Sequence, residues 1–307
     1  MYNVSMNLQR KGTGVNIFTS TLILLKPGII LSVGFTGFTG MVLANRGIPS
    51  LELLLIGLAS LLLSAAGAAI LNNLLDRRID THMNRLSKRV EALQIVGGKT
   101  ALTLAIIFIL TSLFLSFRFI NTLNGILTLV AILSYTVLYT LYLKRSSPYG
   151  TIIGGLPGAL PVLIGYSVVN PEIGIDGIIL FLFMILWQPP HFWAIAQKYK
   201  EDYKKAGIPV MPVVLGTRYT NIFMVLYSIS LLPLSLSLWF FKYCSSYYAI
   251  AVIIFGIYFE YVMIHSALTN SNYGKAFGVS ILYMLAVMAS LVIDISLQNS
   301  IFKLYAL

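Results

Sequence analysis

The segment that decides the fold reads LELLLIGLASLLLSAAGAAILNNLL over residues 51–75 and continues as DRRID over residues 76–80. Within its apolar part the only charged side chain is that of Glu52, in the second position. About 20 apolar residues in a helix cross the hydrocarbon core of a bilayer. The segment therefore predicts a transmembrane helix whose far end carries two acids and two arginines.

Eight further apolar stretches occur along the 307-residue chain, which is 58% hydrophobic and only 10% charged. Soluble proteins carry about 25% charged residues, so this composition excludes a soluble globular domain and a disordered chain. The stretches are continuous rather than alternating, which excludes a β-barrel. We therefore predict an all-α integral membrane protein with nine transmembrane helices, a single polytopic domain over 1–307 that begins with a polar lead over 1–25. The predicted spans are 28–45, 51–75, 100–117, 122–143, 149–168, 176–197, 220–241, 247–268 and 276–297.

The chain is also strongly basic, with 21 Lys and Arg residues against 10 Asp and Glu residues and a net charge of +11. In so apolar a chain, these cations suit anionic membrane lipid or phosphates, and no nucleic-acid partner is expected. With the N-terminus placed inside, 17 of the 21 cations fall in cytoplasmic segments and 4 in outer segments. The positive-inside rule therefore predicts a multi-pass protein of the cell membrane, with its N-terminus in the cytoplasm and its C-terminus outside.

Three polar residues close the second span on one helical face. Asn72, Asp76 and Asp80 are spaced four residues apart, and each step of four turns the face by only about 40°. One amide oxygen and two carboxylates would line the cytoplasmic mouth together, a set that suits Mg²⁺ when phosphate and water supply the other ligands. The alternative is a helix end that carries ordinary interfacial polar residues.

Cations lie close to these acids in the sequence. Arg85 and Arg89 follow in the next loop, and Lys144 and Arg145 end the fourth span. A divalent metal on carboxylates, with guanidinium and ammonium groups beside it, is suited to a diphosphate. The positive-inside rule would place cations here in any case, so for each of them a topology role stays open.

The sixth span supplies a second polar set, in the segment LWQPPHFWAIAQKYKEDYKKAG over residues 186–207. Its two adjacent prolines predict a kink or break in the helix. His191 follows them among aromatic residues, and we expect it to line a cavity, although a lone intramembrane histidine is often a packing residue. Asp202 lies at the cytoplasmic end of this segment, with Lys198 one turn before it.

The remaining acids separate two classes of function. Glu260 and Asp294 fall inside spans, where a charge costs about 2.5–3.5 kcal/mol, so each is expected to face a partner or a cavity. Glu52, Glu172 and Asp176 lie at outer span ends and are interpreted as interfacial. An ion-coupled transporter would place its working charges near the midplane, whereas here the charge is densest at the cytoplasmic rim, which favours an enzyme.

These residues resemble the UbiA-type intramembrane prenyltransferases, whose second helix ends in Asn-x-x-x-Asp-x-x-x-Asp, here Asn72, Asp76 and Asp80. The sixth span and its loop resemble the protoheme IX farnesyltransferase (haem O synthase) branch of that superfamily. The resemblance covers about residues 22–220. The matching residues are Lys26-Pro27, Met83, Arg85, Arg89, Tyr139, Leu143-Lys144-Arg145, Gly154, Gly158-Ala159, Pro161, Ile164-Gly165, Trp187, Pro190-His191, Ala196, Asp202-Tyr203, Ala206-Gly207-Ile208-Pro209 and Met211-Pro212-Val213-Val214.

The resemblance implies a nine-helix bundle around a lipid-open cavity that takes farnesyl diphosphate and haem B. The implied reaction joins the farnesyl group to a vinyl group of haem B and gives haem O, for haem-copper terminal oxidases. A haem A synthase or a terminal oxidase assembly protein is the implied partner. The implied roles are catalysis for Asn72, Asp76, Asp80, His191 and Asp202, diphosphate binding for Arg85, Arg89, Lys144, Arg145 and Lys198, and Mg²⁺ binding for Asn72, Asp76 and Asp80.

One departure bears on the acceptor. Superfamily members that act on quinone precursors usually carry a second Asp-x-x-x-Asp, whereas the spacing here reads Lys198…Asp202. The missing acid and His191 disfavour a quinone precursor or a lipid alcohol, which stays the alternative acceptor. Imidazole can serve as an axial haem ligand or as a proton acceptor, and the sequence leaves both roles of His191 open.

Overall fold

The computed structural model describes residues 16–305, with side chains described to residue 299, and this part of the chain is helical without a β-strand. Nine helices within it are long and apolar enough to cross a membrane. They confirm the predicted helical membrane bundle. The helices are α1 Pro27–Asn45, α2 Leu51–Asp80, α3 Gly98–Ile120, α4 Thr122–Ser146, α5 Gly150–Val169, α6 Ile175–Lys198, α7 Gly216–Phe240, α8 Ser246–Thr269 and α9 Tyr273–Tyr305. Most bounds lie within a few residues of the predicted spans, whereas α2 and α9 continue five and eight residues further.

Large apolar side chains cover the outside of the bundle. Leu110, Phe114 and Ile254 are each 61% exposed, which would be costly in water but is what a lipid-facing surface requires. The largest core cluster instead joins α1 and α5 through α9. The chain is therefore a multi-pass membrane protein whose second half forms the more continuous core.

The first and fifth helices approach each other at glycines. A Cβ atom on Gly165 would lie only 1.9 Å from the carbonyl oxygen of Gly37. A Cβ atom on Gly40 would lie 2.2 Å from the carbonyl oxygen of Val162. Because no side chain larger than hydrogen fits there, these glycines let the two backbones pack directly, as small residues do in membrane helix pairs.

The predicted polar lead over 1–25 is only partly within the described residues. Residues 1–15 lie outside them, and Ile17–Leu25 forms a short apolar helix. This helix packs with Ser87–Val96 and with α2 and α3, through a cluster that includes Leu24, Ile70 and Ala92.

The two long loops fold over one end of the bundle. The loop after α2 contains Asn84–Leu86 and Ser87–Val96, and the loop after α6 contains Lys200–Lys205 and Met211–Val214. The loops meet in one apolar cluster whose buried members include Met83 and Tyr203. Side chains from residues about 120 positions apart are thereby brought to the end of α2.

Helix α6 is regular at the point where a break was predicted, whereas α4 contains an irregular segment. The prolines of α6 do not interrupt it, since Ile175–Lys198 is one continuous helix with Pro189 and Pro190 buried inside it. No break is present there, and a kink stays a prediction. Within α4, Ser134–Leu143 is a π-helix, a form that is rare and is often found at functional sites. The π-helical register turns Tyr135 and Tyr139 toward the cavities described below.

The acids outside the loop-covered end have local partners. Asp176, predicted to be interfacial, is only 2% exposed, because it accepts hydrogen bonds from Arg46 and the Tyr166 hydroxyl. Asp294 accepts hydrogen bonds from the backbone N–H and hydroxyl of Ser245, just before α8. Asp176 thus lies in a buried ion pair at the start of α6, and its interfacial position stays a prediction. Asp294 is confirmed to face a partner.

Glu260 lies on α8 and accepts a hydrogen bond from the hydroxyl of Ser228 on α7 at 3.0 Å. The prediction that it faces a partner is confirmed as well. Glu260 and Asp294 thus each bind a hydroxyl on a neighbouring segment. Neither residue lines the two cavities, described below, that share Tyr135 and Tyr139.

Candidate active site

The last turns of α2 carry the predicted polar face. Asn72, Asp76 and Asp80 are 4%, 0% and 2% exposed. The Asn72 amide donates to Asp76 Oδ2 at 3.0 Å and to the Thr140 hydroxyl at 2.9 Å. Because α2 continues to Asp80, all three polar side chains are held on one helix rather than in a flexible loop.

Three of the predicted cations contact these acids directly. Lys144 Nζ lies 2.5 Å from Asp76 Oδ2, and an Arg145 Nη donates to Asp76 Oδ1 at 3.4 Å. Arg89 Nη1 lies 3.2 Å from Asp80 Oδ2. A buried carboxylate needs such partners because desolvation of an unpaired charge is costly.

Arg85 lies in the loop after α2 and is held by two tyrosines that follow α6. One of its Nη atoms donates to the Tyr203 hydroxyl at 2.7 Å, and its guanidinium carbon lies 4.9 and 5.0 Å from the ring centres of Tyr199 and Tyr203. Burial raises the pKa of Tyr203, while Arg85 acts in the opposite direction. The hydroxyl therefore stays protonated and holds a guanidinium whose other donors can meet an anion.

Lys26 belongs to the same cluster, although it was not among the cations predicted to bind diphosphate. Its Nζ donates to Asn72 Oδ1 at 2.5 Å and lies 3.5 Å from the Tyr135 hydroxyl. Desolvation, followed by Arg89 and Lys144, lowers the pKa of this lysine well below its usual value. An anion at this position would favour its charged form.

The backbone of Lys26 explains how the side chain reaches the cluster. Its φ of 57° is left-handed, a conformation that is unfavourable for a residue with a side chain, and the following Pro27 restricts it further. Such strain persists where the surrounding structure holds it and is typical of functional positions. The signal in the sequence was the Lys26-Pro27 pair at the start of a span.

A polar cavity of about 220 Å³ lies between α2, α4 and the two loops. Its polar lining includes Asn72, Arg85, Arg89, Lys144 and Tyr203. Asp76 and Asp80 do not line this cavity themselves but lie beside it, and five cations stand around them when Lys26 and Arg145 are included. The cluster therefore carries an excess of positive charge that suits a multiply charged anion.

An apolar cavity of about 250 Å³ adjoins the polar one. Both cavities are lined by Ile29, Tyr135, Tyr139, Thr151 and Phe192. The apolar cavity extends between α1, α2, α4, α5 and α6. A ligand with a charged head and a long apolar tail would fit across the shared boundary.

His191 lines the apolar cavity, as predicted. Its ring is stacked between Trp187, at 4.3 Å, and Phe277, at 4.5 Å between ring centres. Its Nδ1 lies 2.7 Å from the Ser280 hydroxyl on α9. Ser280 and Phe277 are nearly 90 positions away in the sequence, and no local pattern indicated them.

The UbiA prenyltransferase family model matches residues 33–292, which include α2 with its polar face and α6 with His191. The chain belongs to the UbiA prenyltransferase family. A relative from Geotalea uraniireducens (strain Rf4), named protoheme IX farnesyltransferase, is 44% identical over 255 residues, covering 83% of this chain and 98% of the relative.

Solved structures share the fold of this UbiA prenyltransferase. One, described as digeranylgeranylglyceryl phosphate synthase, has a TM-score of 0.74 at 22% identity and covers 91% of this chain and 99% of its own. A UbiA homologue from Archaeoglobus fulgidus, bound to DMAPP and Mg²⁺, has a TM-score of 0.59 at 18% identity and covers 89% and 99%.

The structure does not bring Lys198 and Asp202 into the polar cavity of this UbiA prenyltransferase. Lys198 is exposed at the end of α6, with Nζ 5.2 Å from the Tyr199 ring centre. Asp202 is partly buried on the short helix Lys200–Lys205 and does not line the cavity. The neighbouring Tyr203 reaches it instead, and the roles of Lys198 and Asp202 stay predictions.

The donor set fits a magnesium ion. Among the described residues no group of three or more His, Cys, Asp or Glu side chains could hold a metal. The α2 face offers two carboxylates and an amide, and Mg²⁺ commonly takes one or two carboxylates and completes its shell with water and phosphate. Asp80 Oδ1 is buried without a hydrogen-bond partner in the described structure, so one carboxylate oxygen is available to a further cation.

Proposed function

We propose that this UbiA prenyltransferase transfers the farnesyl group of farnesyl diphosphate to a vinyl group of haem B and gives haem O and diphosphate. The observation that carries the proposal is the junction of the cation-rich cavity with the apolar cavity at Tyr135 and Tyr139. The name of the Geotalea uraniireducens relative supports this choice of donor and acceptor.

The polar cavity binds the diphosphate in this proposal. Asn72, Asp76 and Asp80 hold Mg²⁺, whose charge stabilises the departing diphosphate. The Archaeoglobus fulgidus homologue bound to DMAPP and Mg²⁺ supports a metal of this kind. The cations that contact the phosphate oxygens are Lys26, Arg85, Arg89, Lys144 and Arg145.

Bond cleavage and bond formation take place at the boundary between the cavities. The C–O bond of farnesyl diphosphate breaks, and its electron pair leaves with the diphosphate, where the fixed cations receive the charge. The π-faces of Tyr135 and Tyr139 stabilise the allylic cation. The vinyl group of haem B forms the new C–C bond, water adds to the resulting carbocation, and one proton is released.

The apolar cavity keeps this cation away from stray water until the acceptor attacks. Its lining includes the hydrocarbon side chains of Val33, Leu61 and Ala68, which offer no competing nucleophile. The Ser64 hydroxyl, which also lines the cavity, donates to the carbonyl oxygen of Leu61. Haem B is itself a flat apolar ring system, and a cavity reached from the bilayer suits it. We place the enzyme in the cell membrane with its N-terminus in the cytoplasm. A haem A synthase or a terminal oxidase assembly protein in the same membrane receives the haem O.

The test is a reconstituted reaction. The purified protein in lipid nanodiscs receives farnesyl diphosphate and Mg²⁺ with haem B or, in a parallel reaction, with 4-hydroxybenzoate. Haem O and prenylated 4-hydroxybenzoate are measured by chromatography and mass spectrometry. We expect haem O with the wild type and with the exposed-loop control Glu201→Gln, and none with Asp76→Asn or after chelation of the metal. Prenylated 4-hydroxybenzoate without haem O would contradict the acceptor, and full activity of Asp76→Asn would contradict the metal site.

A further inference from the structure

The contacts of Ser280 fix which nitrogen of His191 carries the proton. The Ser280 hydroxyl lies 2.6 Å from the carbonyl oxygen of Phe277, to which it donates, and 2.7 Å from His191 Nδ1. A hydroxyl has one proton, and the carbonyl can only accept. Ser280 Oγ therefore accepts from His191, so Nδ1 carries the hydrogen and Nε2 keeps a free lone pair.

Ser280 also holds the residues around the imidazole. Its carbonyl oxygen accepts a hydrogen bond from Trp187 Nε1 at 2.8 Å. The Trp187 ring covers one face of His191 with an interplanar angle of 21°, and Phe277 covers the other at 28°. With both faces covered and Nδ1 engaged, the Nε2 edge is what His191 can offer to a ligand in the apolar cavity.

This geometry favours metal ligation over proton transfer. Within the described part of the chain no carboxylate lines the apolar cavity, so an imidazolium formed there would lack the anionic partner that a buried cation needs. A neutral imidazole with Nδ1–H bonded to a fixed acceptor and a free Nε2 is the arrangement of a metal-ligating histidine. The iron of haem is commonly held by such a histidine.

We propose that His191 Nε2 ligates the iron of the haem substrate and that Ser280 is the positioning residue that sets its tautomer and orientation. This inference rests on the proposed function, because it takes haem as the acceptor. It adds a source of specificity: the acceptor is recognised by its metal at α6 and α9, while the diphosphate is recognised at α2. Iron-free protoporphyrin IX should therefore bind more weakly than haem B.

The test measures haem binding without farnesyl diphosphate, so turnover is not needed. Wild-type protein in nanodiscs is titrated with haem B, and the iron–histidine stretching band of the ferrous complex is recorded by resonance Raman spectroscopy. We expect this band in the wild type, its loss in His191→Ala and its return when imidazole is added to that variant. Protoporphyrin IX should bind the wild type and His191→Ala with equal affinity.

Variants of the serine test the positioning role. Ser280→Ala should keep the band, shift its frequency and weaken haem binding about tenfold, as loss of a partner to a metal-ligating histidine does. Ser280→Thr, which keeps the hydroxyl, should restore the wild-type frequency. Ser266→Ala removes a buried hydroxyl on α8 that has no hydrogen-bond partner among the described residues, and it should leave both measurements unchanged.

Different results would overturn different parts. If His191→Ala keeps the band and the haem affinity, the ligand assignment is wrong, and loss of turnover in that variant would then indicate a base. If Ser280→Ala matches the wild type in frequency and affinity, the positioning role is wrong. If the wild type binds no haem, the proposed function itself fails; if His191→Ala makes haem O normally, only this inference fails.

Discussion

Three buried carboxylates, one at one end of the bundle and two at the other, show what separates a structural ion pair from a site. Asp176 meets one arginine, Arg46, and one tyrosine hydroxyl, and its charge is matched. Asp76 and Asp80 meet an excess of cations, and Asp80 keeps an oxygen without a partner in the described structure. Burial and ion pairing are common to both ends, so the surplus of positive charge is the feature that points to an anionic ligand.

The largest effect is expected from the α2 face. Asp80→Asn removes one negative charge from the metal site. The rate of haem O formation should fall by about 10²–10³-fold, which is the usual loss when a group that stabilises transition-state charge is removed. The thermal midpoint of unfolding in detergent should change little, because the neutral amide removes the cost of burying Asp80 Oδ1, a carboxylate oxygen without a partner in the described structure. Steady-state assays and a thermal scan on the same preparation measure both quantities. A large loss of stability together with activity would make Asp80 a structural residue like Asp176.

The opposite end should give the reverse pattern. Asp176→Asn leaves Arg46 without its carboxylate, and the free energy of unfolding should fall by about 1–3 kcal/mol. Haem O formation, assayed below the unfolding transition, should stay within about twofold of the wild type, a difference of only about 0.4 kcal/mol. Loss of turnover without loss of stability would remove the distinction between the two ends.

Lys26 gives the next largest effect. Lys26→Met keeps the length of the side chain and removes the ammonium that contacts Asn72. We expect kcat/KM for farnesyl diphosphate to fall about tenfold, the loss of one charge-assisted hydrogen bond. Lys99→Met, at an exposed position near the start of α3, is the control. Equal kinetics in the two variants would return Lys26 to a topology role.

Arg85→Lys separates charge from shape. Lysine keeps the charge but loses the fork of donors and the planar contact with Tyr199 and Tyr203. KM for farnesyl diphosphate should rise by a few-fold up to about tenfold, with kcat changed less. Arg78→Lys, on the exposed side of α2, should show no rise. An unchanged KM in Arg85→Lys would mean that this residue acts only as a loop clamp.

The smallest effect concerns Cys244, near the Asp176 end. Burial, followed by Asp294, raises the pKa of the Cys244 thiol to about 12. Since the raised pKa keeps the thiol protonated at pH 8, the folded protein should react with a maleimide far more slowly than the unfolded protein. Labelling followed by mass spectrometry checks this, and rapid labelling of the folded wild type would show that this end is open.

The sequence could predict the fold and one face of the site for clear physical reasons. Nine apolar runs determine nine membrane helices, and the four-residue spacing of Asn72, Asp76 and Asp80 places them on one face because a helix has a fixed period. The Lys144-Arg145 pair was predicted as a phosphate contact, and the structure places it beside Asp76.

Other parts of the site depend on contacts that no local pattern contains. Lys26 reaches Asn72 through a left-handed turn, and Tyr135 and Tyr139 reach the cavities through a π-helix. Ser280 meets His191 across two helices far apart in sequence. Lys198 is the opposite case, a predicted contact that the structure does not make. It lies one helical turn before Asp202 in the sequence, but this spacing does not determine which way the end of the helix faces, and its side chain is exposed.

The central claim is that the α2 face and its cations bind a prenyl diphosphate together with a divalent metal. Calorimetric titration with farnesyl thiodiphosphate, an analogue that resists cleavage, tests it most directly with the wild type, Asp80→Asn and Asp176→Asn. The account predicts Mg²⁺-dependent binding to the wild type and Asp176→Asn, and no measurable binding to Asp80→Asn. Equal binding by all three proteins, or binding by the wild type that persists after removal of the metal, would contradict it.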